Sequence, residues 1–288
     1  MKNILLYLSL LSIVFGIGSG FLSVPYSAET LARGDHPLPA EFSTINPAGI
    51  QVSDRGPAMN MSYGSWLADS RQMTVAYTTS KFGGQLSTKG RYVGLTGMEY
   101  RTETPTDDPI AQFSSYGASF EIQYARMLNN MKLGIGLKTV TMELYTAGTK
   151  GYAIDAGLLL PVNNDLEVGL AVLNLGSFSG WGQDAPSFPV RIIGGSGMKF
   201  KSLPMNPRIM TSLEWTSQTS GLIFRLGDEI TWKQLILRSG VMYSSEVLSF
   251  SGGFGINFGI YNISYGFQIG SQDLGIPHLI DISIQLPK

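Results

Sequence analysis

The sequence contains no cysteine and only two histidines, His36 and His278, among its 288 residues. The absence of cysteine excludes disulfide bridges, thiolate-bound zinc, iron–sulfur clusters and cysteine nucleophiles. Two histidines leave little material for metal sites or acid–base chemistry, so we expect no catalytic residues, no metal and no cofactor. Hydrolysis by a serine and a histidine is the one enzymatic route that the composition leaves open.

Charged residues are also scarce. They make up 14% of the chain, against about 25% in a typical soluble domain. The 20 basic and 21 acidic residues give a formal net charge of −1, so no basic field exists to hold nucleic acid. Nucleic acid is therefore excluded as an expected partner, and a soluble two-sheet protein becomes the less favoured alternative to a membrane protein.

Long apolar runs are missing except at the start of the chain, where residues 4–17 follow Lys2 and precede Gly18 and Gly20. This run is shorter than the roughly 20 residues of a spanning helix, and the small residues after it are typical of a secretory signal peptide. We predict a signal peptide at 1–20, cleaved near Gly20. A mature chain without apolar helices can span a membrane only as a closed barrel.

From residue 57 onward, apolar residues alternate with polar residues or glycine. At the end of the chain, for example, Ile280 and Ile282 alternate with Asp281 and Ser283. This period of two is typical of strands with one apolar face. Fourteen candidate strands can be marked in this way, and an even number suits a bacterial barrel. We predict an all-β protein, a monomeric transmembrane antiparallel β-barrel of about 14 strands at 57–288, in contact with outer-membrane lipid.

The predicted connections support the same architecture. If the chain starts in the periplasm, even-numbered connections are short periplasmic turns, such as 128–130 and 162–164, and the long connections 103–113 and 177–188 lie outside. One even-numbered connection, 81–90, is unexpectedly long. Tyrosines eight residues apart on one predicted face, Tyr92 with Tyr100 and Tyr116 with Tyr124, have the spacing of two aromatic girdles.

Charges of both signs fall on the polar face of successive predicted strands. Because an unpaired charge against lipid is costly, we predict that these side chains point into the lumen and pair there, so that the barrel is not an open pore. The predicted luminal charges are Glu121, Lys132, Lys138, Asp155, Glu167, Arg191, Lys199, Glu214, Arg225, Arg238 and Asp281.

The segment 21–56 precedes the strands and does not alternate. Its prolines, among them Pro25 and Pro47, exclude a strand or a long helix. It contains the stretch Asn46, Pro47, Ala48 and Gly49, which by residue chemistry alone forms an ordinary Asx-Pro turn. Its position shortly before the first strand favours a different interpretation, a plug or hatch inside the barrel, and we predict this role for 21–56.

An Asn-Pro-Ala-Gly stretch before the first of about fourteen strands looks like the luminal hatch of the FadL-like barrels. Further stretches resemble the PorV/PorQ family of the type IX secretion system, and the PorQ branch more closely. They are FLSVPYSA at 21–28, INPAGI at 45–50, SYGSWLAD at 62–69, GYAIDAGLL at 151–159, VLNLG at 172–176 and PSFPVR at 186–191.

This resemblance implies a non-enzymatic outer-membrane component of type IX protein secretion or of a cell-surface attachment complex. Its partners would be other secretion-system or cell-surface proteins. The alternative is a FadL-like channel that takes up hydrophobic small molecules through a lateral opening in the wall. A charge-lined interior favours the first function, and a continuous apolar path through the lumen would favour the second.

A closed barrel has no strand edges, so partners should bind at loops or rims. The predicted loop 177–188 carries Phe178 and Trp181, and aromatic side chains bury area at little cost in rotamer entropy. These two residues are candidate anchors for a partner, although packing at the membrane interface explains them equally well. His36 and His278 are most simply explained as polar side chains at a membrane surface.

Overall fold

The structure is a computed structural model that describes residues 18–36, 45–52, 56–101, 107–145, 147–179, 186–270 and 275–287. Each strand pairs antiparallel with the next, and the last pairs with the first, so that the sheet closes into a barrel of fourteen strands. The strands are β1 Ala58–Ser65, β2 Arg71–Lys81, β3 Gly84–Tyr100, β4 Ala111–Leu128, β5 Met131–Leu144, β6 Ala147–Pro161, β7 Leu166–Ser179, β8 Arg191–Lys199, β9 Arg208–Thr216, β10 Leu222–Trp232, β11 Leu235–Tyr243, β12 Leu248–Phe258, β13 Tyr261–Gly270 and β14 His278–Gln285.

The predicted fold class and strand number are confirmed, but the predicted connection 81–90 is wrong. Strand β3 begins at Gly84, directly after a turn at Phe82 and Gly83. Both turn residues have positive φ, 56° and 72°, which a two-residue hairpin turn of type I′ requires. The polar and glycine-containing stretch after this turn does not look like a strand, yet it pairs with β2 on one side and β4 on the other.

With this correction, one end of the barrel carries tight turns at 82–83, 129–130, 233–234 and 259–260. We call it the even-turn end, and the opposite end, which carries the connections β1–β2, β3–β4 and β7–β8, the odd-loop end. Among the residues that the structure describes, no helix is long and apolar enough to cross a membrane.

The alternation of the sequence becomes a division between the two faces of the wall. Ile280 and Ile282 of β14 are exposed on the outer face, whereas Asp281 and Ser283 are buried on the inner face. The same pattern holds along the other strands. The outer face is therefore apolar and the inner face polar, as expected for a wall between lipid and a polar lumen.

The described parts of the N-terminal segment lie against the inner face. They form a 3₁₀ turn at Ser19–Ser23, a short helix α1 at Ala28–Ala32, and a second 3₁₀ turn at Pro47–Gly49. Helix α1 packs against β12, β13 and β14, and the second turn packs against β4, β5 and β6. The domain boundaries and the role of 21–56 as a plug stay predictions.

A bulge changes the direction of side chains near the end of β3. The pairing of β2 with β3 ends at Arg71 and Gly94, and the register with β4 shifts between Leu95 and Met98. Gly97 lies in this bulge with φ of 74°, a conformation that favours glycine. After the bulge, Tyr100 pairs with Ala111, on the inner face. Tyr92 stays on the outer face and stacks on Tyr116, so Tyr92 and Tyr100 do not share a face.

Candidate functional site

Ion pairs fill much of the lumen, and the first cluster lies near the odd-loop end. Glu214 accepts hydrogen bonds from the Nε of Arg191 at 2.6 Å and from Nη1 of Arg225 at 2.7 Å. Asp35, from the N-terminal segment, lies 3.9 Å from Arg191 and 3.7 Å from Arg225. Three adjacent strands and the N-terminal segment thus meet in one cluster of two cations and two anions.

A second cluster joins β3, β4, β5 and β6. Lys138 lies 2.9 Å from Asp155 and 3.9 Å from Glu121, which in turn lies 3.4 Å from Lys89. All four side chains are buried. The ammonium of Lys89 also lies 4.0 Å from the centre of the Tyr26 ring, an attractive geometry for a cation and an aromatic face. The second cluster therefore also contacts the N-terminal segment.

The third cluster surrounds α1. Arg238 lies 3.2 Å from Glu29 and 2.8 Å from Glu229, and Arg33 lies 3.4 Å from Glu229. Asp281 accepts hydrogen bonds from the backbone of Ala28 and Glu29. A buried charge is tolerated when it is paired and hydrogen-bonded, and here α1 supplies part of the pairing.

The eleven predicted luminal charges are not all placed alike. Nine are buried on the inner face, namely Glu121, Lys132, Lys138, Asp155, Arg191, Glu214, Arg225, Arg238 and Asp281. Glu167 is half-buried and pairs with Arg208 near the even-turn end. Lys199 is exposed as the last residue of β8. It lies opposite the buried Arg208 in the register of β8 with β9, at the rim of the inner face, and its pairing in the lumen stays a prediction.

Sequence reasoning missed several charges that complete these clusters. Lys89 stands in the stretch interpreted as the connection 81–90. Glu29, Arg33 and Asp35 stand in the N-terminal segment. Glu229 directly follows Asp228 on β10, and because neighbouring strand residues point to opposite faces, only one of the two can point into the lumen. The N-terminal segment itself indicated that its charges would be paired. Charged residues next to buried apolar ones need partners of opposite charge, and the charge-lined lumen supplies them.

Two neighbouring groups of the N-terminal segment have shifted acidities. Burial raises the pKa of the Asp35 carboxyl from 3.8 to about 6, although Arg225 and Arg191 act in the opposite direction. Burial lowers the pKa of the next residue, His36, from 6.5 to about 3, against a hydrogen bond with the backbone of Thr211. His36 is therefore neutral at ordinary pH.

A cavity of about 300 Å³ opens at the odd-loop end. Its floor includes the charged groups of Asp35, Arg191, Glu214 and Arg225. Its walls combine apolar residues, which are Trp66, Leu67, Ile223, Met242, Val247 and Pro277 among others, with polar ones such as Thr216, Gln218, Ser249 and Gln268. A concave site with apolar surface and polar groups that can orient a ligand is typical of small-molecule sites.

The Asn46–Gly49 stretch binds the wall through specific contacts. The side chain of Asn46 accepts a hydrogen bond from the amide of Ala48 at 2.9 Å and donates to the carbonyls of Leu158 and Leu170, both at 3.2 Å. An added Cβ at Gly134 or Gly157 would collide with this stretch. The motif therefore contains the predicted Asx turn and also holds the segment to the inner wall.

The predicted partner loop differs from expectation. Strand β7 continues to Ser179, so Phe178 is a strand residue. Its ring stacks on Phe188 with centroids 4.1 Å apart and packs against a buried cluster that includes Phe21. Phe178 is therefore a half-buried packing residue of β7 and not a residue of the predicted loop, and its role as a partner anchor stays a prediction. Trp181 lies outside the described residues.

The histidines do not form a catalytic arrangement with each other. His36 is buried against the wall, whereas His278 is exposed at the start of β14, with Nδ1 3.1 Å from the carbonyl of Ile276. In the described part of the chain, no group of histidine and carboxylate side chains could hold a metal ion.

No protein-family model and no curated protein matches the chain. Several solved structures match it. The toluene transporter TbuX of Ralstonia pickettii matches with a TM-score of 0.63 and 12% identity, over 91% of this chain and 98% of that chain. The toluene transporter TodX of Pseudomonas putida matches with a TM-score of 0.65 and 10% identity, over 91% and 98%. The chain has the fold of these transporters. At such identities the similarity establishes the fold and leaves membership of the PorV/PorQ family a prediction.

Proposed function

We propose that the protein is an outer-membrane barrel that takes up hydrophobic small molecules at its odd-loop end. The single observation that carries this proposal is the cavity at that end, whose walls include Trp66, Leu67, Ile223 and Met242, in a barrel with the fold of two toluene transporters. The apolar outer face of the wall matches a location in the membrane. The odd-loop end then faces outside, and the cavity is the first site that a ligand reaches.

Passage beyond the cavity requires a structural change. Asp35 and the Arg191–Glu214 pair form its floor, and the N-terminal segment lies below along the inner wall. A ligand that enters from outside therefore meets the charged groups of the floor. Release requires that the N-terminal segment moves or that the ligand leaves sideways through the wall.

The cavity can be tested by filling it. We expect toluene to displace the dye N-phenyl-1-naphthylamine from the purified barrel, and Met242→Trp to weaken dye binding about tenfold because the larger ring occupies the cavity. Met198→Trp is the matched control, since Met198 is exposed on the outer face of β8. Equal dye binding by both variants and by the wild type would overturn the proposed site.

The second candidate function is a non-enzymatic role in type IX secretion or cell-surface attachment. A specific observation favours it: three clusters of ion pairs occupy the lumen, and no continuous apolar path is evident among the described inner residues. Deletion of the gene in the native bacterium discriminates the two. Loss of surface proteins with unchanged toluene uptake supports secretion, whereas the reverse result supports uptake.

A further inference from the structure

A row of neighbouring polar residues crosses the outer face of the wall from β8 to β11. Ser196 pairs with Thr211 across β8 and β9, and Asp228 pairs with Ser239 across β10 and β11. Thr211 and Asp228 are diagonal neighbours, because Thr211 pairs with Leu226, two residues before Asp228. We call this row the mid-wall stripe: Ser196, Thr211, Asp228 and Ser239.

Asp228 is the acidic member of the stripe. The next residue, Glu229, pairs with Arg238 in the lumen, so Asp228 points outward, between Leu226 and Ile230. Every other described charged residue on the outer face of a strand lies within three residues of a strand end, whereas Asp228 lies six residues from the start of β10 and four from its end. A carboxyl group against lipid is costly, so this position requires a compensating contact.

The stripe lies near the middle of the membrane. Three of its members lie four residues from an exposed aromatic residue toward the odd-loop end: Thr211 from Trp215, Asp228 from Phe224 and Ser239 from Tyr243. Asp228 is also four residues from Trp232 near the even-turn end. Four residues of a strand tilted by about 40° span about 10 Å of height. The three members therefore share one depth, close to the centre of an apolar band about 25 Å tall.

The hydrogen bonds within the stripe leave one acceptor and one donor unused. The Ser239 hydroxyl donates to Oδ1 of Asp228, and no residue in the described part of the chain donates to Oδ2. The hydroxyl oxygens of Ser196 and Thr211 lie 3.1 Å apart, so one donates to the other and the proton of the second remains available. Lipid tails offer no partner to either unused group.

We propose that the stripe binds a second copy of this chain, so that the protein is a two-fold dimer in the membrane. Two barrels in one membrane have the same orientation, so the two-fold axis runs along the membrane normal and each residue keeps its depth. With this axis between β9 and β10, Thr211 of one copy faces Asp228 of the other, and the reverse. The unused donor then meets the unused acceptor twice.

The same axis brings two apolar residues onto their own mates. Leu226 pairs with Thr211 and Ile209 pairs with Asp228, so the four residues form the corners of one quadrilateral of the wall. The diagonal from Thr211 to Asp228 runs level, and the other diagonal, from Leu226 to Ile209, crosses it steeply near the axis. Both apolar residues are exposed, and in the dimer each packs against the same residue of the second copy.

The dimer departs from the monomer predicted from the sequence, because alternation alone did not show that an acidic side chain points toward lipid. It is also independent of small-molecule uptake. The stripe residues lie on the outer face and do not line the cavity, so either proposal can fail without the other.

Sedimentation equilibrium of the purified barrel in density-matched detergent micelles tests the association. We expect a dimer for the wild type and at least tenfold weaker association for Asp228→Leu. Thr139→Leu is the matched control, since Thr139 is a polar residue exposed on the outer face of β5, away from the stripe. Both substitutions make the lipid-facing wall more apolar, so we expect both variants to fold. A monomeric wild type, with the stripe against lipid alone, or equal association of Asp228→Leu, would overturn the proposal.

Cysteine cross-linking in isolated outer membranes tests the position of the axis. Because the chain has no cysteine, Leu226→Cys reports only contact between position 226 of two copies. Oxidation with copper phenanthroline should link Leu226→Cys into dimers and should not link Ile122→Cys, on the exposed outer face of β4. Adding Asp228→Leu to Leu226→Cys should lower the dimer yield at least tenfold. Equal linking at both positions, no linking at 226, or a yield that Asp228→Leu leaves unchanged would overturn the dimer.

Discussion

The carboxylate of Asp281 accepts hydrogen bonds from the backbone amides of Ala28 and Glu29, at 2.9 and 3.3 Å. The last strand of the barrel thus holds the first turn of α1, whose amides have no partners within the helix. A helix as short as Ala28–Ala32 is not stable alone. Its position depends on contacts with the wall.

The first prediction follows from this contact. Asp281→Ala leaves two buried amides without their acceptor, so we expect the free energy of unfolding to fall by about 1–3 kcal/mol, measured by urea unfolding in phospholipid vesicles. Trypsin should also cleave at Arg33, which is buried in the wild type. Ser283→Ala, on the same face of β14, is the control and should leave Arg33 protected. Protection of Arg33 in both variants would contradict the anchoring role.

The alternation of the sequence was sufficient to predict the barrel, because one face of each strand meets an apolar medium and the other a polar one. It could not predict which charges pair. The partners of Asp281 lie at the opposite end of the chain, in a segment without periodicity. Lys89 was missed because glycine and small polar residues around it conceal a strand. The bulge at Gly97 reverses the alternation locally, and no pattern of period two contains that information.

The second prediction concerns the raised pKa of Asp35. Since this pKa is about 6 in the folded protein, the folded state binds the proton more tightly than the unfolded chain. The contribution of Asp35 to stability is thus full below about pH 4 and is lost as the pH rises through 6, by up to about 3 kcal/mol. Urea unfolding between pH 4 and 7 should show the wild type losing stability relative to Asp35→Asn as the pH rises, because the comparison at each pH removes the contributions of all other titrating groups, His36 included. Equal pH profiles would show that Asp35 stays ionised.

The third prediction has the opposite sign. His36 has a pKa of about 3 in the folded protein against 6.5 when unfolded, so protons favour the unfolded chain. Its contribution is present above about pH 6.5 and is lost as the pH falls toward 3. In urea unfolding between pH 3 and 7, the wild type should lose stability relative to His36→Gln as the pH falls. A stability difference between the two proteins that does not change with pH would contradict a lowered pKa of His36.

The fourth prediction uses glycines that face the N-terminal segment. An added methyl group at Gly134 would collide with Pro47 and Ala48, whereas the same group at Gly90 meets nothing within 4 Å. Gly134→Ala should therefore displace the Asn46–Gly49 stretch, and Gly90→Ala should not. Because the chain has no cysteine, maleimide labelling of an Ala48→Cys background reports the displacement. Equal labelling rates in the two variants would mean that the segment is not held against β5.

The last prediction is electrical, and it rests on the pairing of luminal charges. Arg191 and Arg225 both donate to Glu214, so little uncompensated charge remains near the odd-loop end to draw ions inward. We expect no large, steady conductance from the wild type in planar bilayers. Glu214→Ala leaves two buried guanidinium groups facing Asp35 alone. Water and anions should enter to compensate them, and a small anion-selective current should appear.

Glu167→Ala is the control for that current. Glu167 also pairs with an arginine, Arg208, but it is only half-buried and lies near the even-turn end, where solvent screens the charge that is released. The reversal potential in a salt gradient should therefore shift in Glu214→Ala and stay unchanged in Glu167→Ala. A large, steady conductance of the wild type, or identical currents from the two variants, would contradict a lumen closed by ion pairs.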